Sequence, residues 1–115
     1  MNKNREATGE AFKVYLNALP ETPNKETLAS LSDWIQELET LSQLEATSDE
    51  TLDEIDLAEL KKSEYRILYL DFLFMLYFID NKETLQEAEH VKKFKEKLTR
   101  LYVFFNTLKI KTDAQ

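Results

Sequence analysis

Few residues in this sequence have the types and spacing to do chemistry. Glu87 and His90 form a Glu-x-x-His pair in a segment that reads as helical. At i, i+3 both side chains lean to one side of the helix, the half-motif that carboxylate di-iron bundles use twice. The chain has one histidine, so the second half does not exist and the di-iron reading fails. His90 is expected to be an ordinary histidine near a helix start. A serine–histidine–aspartate set would depend on His90 alone, and no serine stands in a nucleophile turn. The absence of cysteine excludes disulfides, thiol catalysis, iron–sulfur clusters and cysteine zinc sites. Gly9 is the lone glycine, which excludes phosphate-cradling loops and dinucleotide fingerprints, since each needs several glycines. No catalytic residue, metal site or cofactor is expected, and no small-molecule substrate is indicated.

Charge is distributed unevenly. Residues 21–60 hold twelve acids against one base, Lys25, whereas residues 81–115 hold eight bases and five acids. The acidic run Asp49, Glu50, Asp53, Glu54, Asp56 and Glu59 is not a calcium loop. It lacks the central glycine, and Leu60 stands where the bidentate glutamate belongs. Asp49, Glu50, Asp53 and Glu54 are instead candidates for docking a basic partner. Lys92, Lys93, Lys95, Lys97 and Arg100 form a basic face on the last helix. The net charge of −7 opposes nucleic-acid binding, and pairing of this basic helix with the acidic second helix is expected instead.

The strongest signal is apolar. Twelve of the thirteen residues from Ile67 to Ile79 are apolar or aromatic, interrupted only by Asp71. At 100° per residue they cover the whole circumference of a helix rather than one stripe. A helix in a four-helix bundle keeps one face in water, so this one has a surplus face. Leaving four or five such side chains exposed forgoes roughly 6–15 kcal/mol, comparable to the stability of a domain. Either another part of the chain covers that face or a partner does. Phe72, Phe74, Tyr77 and Phe78 are the candidate anchors for a partner, because large aromatics give contact area at little entropic cost. Asp71, a charge within the run, is expected to accept hydrogen bonds from a tyrosine or arginine of a neighbouring helix.

The elements that must position these residues follow from periodicity and punctuation. A chain of 115 residues with 43% hydrophobic and 32% charged residues is sized for a single globular domain, 1–115. Two prolines and one glycine are too few turn residues for a β fold. The expected class is all-α, an antiparallel bundle of four main helices with a possible short fifth at 48–56. Helix one spans about 4–19, with Phe12, Tyr15, Leu16 and Leu19 on one face. Helix two spans about 24–45, carrying Leu28, Leu31, Ile35, Leu38 and Leu41, with Thr22 as a possible cap. Helix three covers about 57–79. Helix four runs from about 81 to 110, started by Asp80 and Glu83 and striped by Phe94, Leu98, Leu101 and Phe105. The string Asn-Lys-Glu-Thr-Leu occurs twice, at 24–28 and 81–85, and is read as two helix starts drawing on one capping chemistry.

The first ten residues have no apolar core of a secretory signal, and the Ile67–Ile79 run is too short to span a bilayer, which takes about 20 residues. A cytoplasmic protein is the expectation. The function expected is a non-enzymatic protein–protein interaction module, a homodimer or the binder of a protein partner, acting through helix three. The second expectation is a small acidic inhibitor of the immunity, antitoxin or phage type, blocking a basic site with its 45–59 surface.

Overall fold

The computed structural model describes residues 3–19, 23–45 and 62–113. Five helices make up these stretches: α1 (Lys3–Asn17), α2 (Lys25–Ser42), α3 (Lys62–Asp80), α4 (Lys82–Leu85) and α5 (Ala88–Asp113). There is no strand among the described residues. The protein is all-α, a bundle of four substantial helices and one single-turn helix. The 48–56 segment, where a short helix was expected, lies outside the described residues.

Each helix starts and stops for a local reason. Asn24 caps α2: its side-chain oxygen accepts from the Thr27 amide at 2.9 Å, satisfying a donor that a helix start leaves unpaired; Thr22, the cap expected, lies outside the described residues. At the far end Gln43 adopts a left-handed conformation (φ 61°) and its N–H donates to the Glu39 carbonyl, the common way to close a helix, here without a glycine. The second copy of the repeated string does different work. The Asn81 side chain makes no cap for α4 and donates instead to the Tyr77 carbonyl at 2.8 Å, closing α3. Asp80 is held by Arg5 Nε at 3.1 Å, so it does not start the next helix as expected.

The last helix is not continuous from 81. It breaks at Gln86–Glu87, leaving α4 as one turn that seats Leu85 in the core. At the break the Thr84 carbonyl accepts from the Glu87 amide at 3.3 Å, and His90 Nδ1 also lies 2.9 Å from that carbonyl. That contact gives the histidine a structural task at the start of α5.

The core is drawn from every helix: Phe12 and Leu16 of α1, Leu31, Ile35 and Leu38 of α2, Leu68, Phe72 and Met75 of α3, Leu85 of α4, and Phe94, Leu98, Leu101, Phe104 and Leu108 of α5. α3 lies at the centre and packs against all four other helices. Contacts fix the directions. Along α1 and α3, Arg5 meets Asp80, Phe12 meets Phe72 and Lys13 meets Tyr69, so these helices are antiparallel. Along α3 and α5, Tyr65 meets Phe104, Asp71 meets Lys97 and Phe78 meets His90, again antiparallel. Arg5 bridges Glu37 and Asp80 at one end of the molecule, while Trp34 meets Phe72 nearer the middle. α2 and α3 therefore run in the same direction. The bundle is up-down-down-up, two antiparallel hairpins joined by one crossover, a known variant of four-helix topology.

Candidate interaction surface

α3 is apolar all round because three long helices surround it and each needs a contact face. Phe72 lies against Phe12 of α1 (centroids 4.2 Å apart) and Trp34 of α2 (6.2 Å). Leu73 and Leu76 meet α1 where it comes closest. A Cβ added to Gly9 would lie 2.9 Å from Leu73 Cδ2 and 3.8 Å from Leu76 Cδ1, so the lone glycine is there for close approach. Phe78 packs on His90 of α5 at 4.9 Å. The larger part of the apolar surplus is thus covered within the chain by α1, α2 and α5.

A remainder is not covered. Ile67, Leu70, Phe74 and Tyr77 recur at intervals of three and four and fall on one line along the outer side of α3. Leu70 is 52% exposed, Tyr77 48% and Ile67 39%, with Phe74 half-buried at the edge. Four partly wet apolar side chains in a row make a patch on the order of 300 Å², the size at which a monomer's largest patch is often functional.

The sequence-predicted anchors divide accordingly. Phe72 (1% exposed) and Phe78 are buried in the core. Their aromatic bulk fits them for the core of the bundle as well as it would for an interface. Phe74 and Tyr77 remain on the surface line. Ile67 and Leu70 belong with them although aromatic size alone does not select them; the signal that finds them is their angle on the helical wheel. The acidic candidates Asp49, Glu50, Asp53 and Glu54 lie outside the described residues. Within the described residues, Glu26, Asp33 and Glu37 keep the solvent side of α2 acidic.

Asp71 borders this surface on the α5 side. It is buried, and its two oxygens accept from Lys97 Nζ at 3.1 Å and Arg100 Nη1 at 3.0 Å. Burial pushes the carboxyl above its ordinary range, and the Arg100 and Lys97 charges pull it back only in part. Lys97 Nζ also sits 4.9 Å from the centre of the Phe74 ring, so the edge of the apolar line is roofed by a cation. A tyrosine or an arginine of a neighbouring helix was the partner expected for Asp71; Arg100 is there, and the lysine beside it was not expected. These cations were expected to pair with α2, yet two of them turn to α3. The α2–α5 seam is linked instead by the Tyr102 hydroxyl donating to the Glu39 carboxylate, and burial with that carboxylate pushes the Tyr102 phenol up to about 12.

Among the described residues no group of three or more histidine, cysteine or acidic side chains is placed to hold a metal ion. No described helix is long and apolar enough to cross a membrane. No family model, no curated protein and no solved structure matches this chain, so a functional reading rests on its own residues.

Proposed function

We propose that this chain is a non-enzymatic protein-interaction module that self-associates through the outer line of α3. One observation carries the reading: the most apolar helix of the bundle keeps Ile67, Leu70 and Tyr77 exposed in a single line, with the half-buried Phe74 among them. The spacing of the line is also symmetric about position 72, since Ile67 and Tyr77 are equidistant from it, as are Leu70 and Phe74. A second copy laid antiparallel against it therefore sets Ile67 on Tyr77 and Leu70 on Phe74. Self-complementary contacts of this kind close as twofold dimers.

Leu70→Glu tests the reading. Leu70 is half in water, so the change leaves the core intact while setting two charges in the centre of the contact. The helical circular dichroism should be unchanged and the dimer lost. Phe72→Ala is the contrast: it opens a cavity in the core and should cost about 3–5 kcal/mol of stability. Unchanged association of the Leu70→Glu chain would contradict the assignment.

A further inference from the structure

Between the C-terminal half of α1 and the N-terminal half of α3 lies an open cleft of about 320 Å³ bordered by Lys13, Leu16, Asn17, Tyr65, Arg66 and Tyr69. In a chain of net charge −7, the described lining holds two cations and no carboxylate. Among the described residues neither cation has an ion-pair partner; the Lys13 ammonium instead sits 5.7 Å from the centre of the Tyr69 ring. Both cations are on exposed residues, and both tyrosines are half-buried and packed against the core. An exposed cation–π contact is worth only about 0.5–1 kcal/mol, so an anion can outcompete it.

These groups specify a ligand. The guanidinium presents a planar fork suited to two oxygens of one anion, and the ammonium adds a second positive charge beside it. The phenol hydroxyls and the Asn17 amide are further donors. The tyrosine faces and Leu16 offer flat apolar wall. The volume is at the lower end of small-molecule sites, which run from about 300 to 1,000 Å³, and so suits one ring rather than a dinucleotide. Two cations match a dianion better than a monoanion. We propose that the cleft between α1 and α3 binds a small aryl phosphate, with the phosphate held by Lys13 and Arg66 and the ring held against Tyr65 and Tyr69. The site is separate from the outer line of α3 and does not depend on self-association.

The test is a titration of the full chain, isotope-labelled for amide NMR, with phenyl phosphate, inorganic phosphate and phenol. Phenyl phosphate should give saturable shifts concentrated at the amides of 13–17 and 65–69. Inorganic phosphate should bind several-fold more weakly, and phenol should not saturate. Lys13→Gln and Arg66→Gln, both at exposed positions, should leave the helices intact and each weaken phenyl phosphate by about tenfold or more, as loss of a hydrogen bond between charged groups does. Shifts that rise linearly without saturation, or that gather elsewhere, would overturn the site. Unchanged affinity in both variants would overturn the roles of the cations. Equal affinity for inorganic phosphate would overturn the aromatic part of the assignment.

Discussion

At the scale of single residues, removing the Asp71 carboxylate and removing its two cations should have unequal costs. Asp71 is buried, whereas the Lys97 and Arg100 side chains keep a quarter and a fifth of their surface in water. Asp71→Asn leaves two cations that can turn outward, and the change should cost about 1 kcal/mol or less. Lys97→Met with Arg100→Met strands a buried acid and should cost about 3 kcal/mol. Chemical denaturation at neutral pH compares the two, and the opposite order would contradict the description of this site. Acid titration adds a sign. The folded carboxyl keeps its proton to higher pH than the unfolded one. Its contribution is therefore fullest below the ordinary carboxylate range and is lost as pH rises through the raised folded value. The stability of the native chain relative to Asp71→Asn should fall across that window with rising pH. The sequence made Asp71 conspicuous because it interrupts twelve apolar residues, and the helical wheel set it beside Phe74 and Phe78. It could not supply Lys97, because which turn of α5 lies opposite Asp71 depends on how the two helices register.

At the scale of elements, the contact of α1 with α3 is tightest-fitting at Gly9. No positive φ demands a glycine there; the neighbour does, since Leu73 Cδ2 stands where a methyl group would go. Leu73 is half-buried and that atom is the tip of a flexible side chain, so it can move aside for one methyl. Gly9→Ala should change stability by no more than about 1 kcal/mol, because the helical propensity gained offsets the shift. Gly9→Leu overfills the same gap and should cost about 1–3 kcal/mol, with the emission of Trp34, which packs on Phe12 at 5.5 Å, altered as α1 is pushed off. Thermal melts followed by fluorescence read both. Much of this level was legible: Phe12 and Leu16, Leu31, Ile35 and Leu38, and Phe94, Leu98 and Leu101 all belong to stripes that periodicity identifies, and all are buried. The break at Gln86–Glu87 was not, because no proline or glycine marks it. At the break Leu85 is drawn into the core, and the Thr84 carbonyl is met by the Glu87 amide and by His90. The parallel course of α2 and α3 also escaped the pattern, since helical periodicity says which face is apolar but nothing about direction. The cleft between α1 and α3 joins Lys13 to Arg66 across a long stretch of chain and leaves no local motif.

At the scale of the whole molecule, three long helices encircle α3 and still leave one apolar line of it in water. On the proposed function, a second copy of the chain covers Ile67, Leu70, Phe74 and Tyr77. Two copies carry −7 each, so their repulsion opposes assembly at low ionic strength and is screened by salt, over a Debye length of about 10 Å at 0.1 M. An apolar seam should therefore hold or tighten as salt is added, whereas docking by the acidic segment at 45–59 on a basic partner should weaken. Light scattering behind size exclusion, on the purified chain at several concentrations and at low and high salt, separates these cases. Self-association through α3 should give a particle of twice the chain mass that survives high salt. A monomer at every concentration and salt level would refute it.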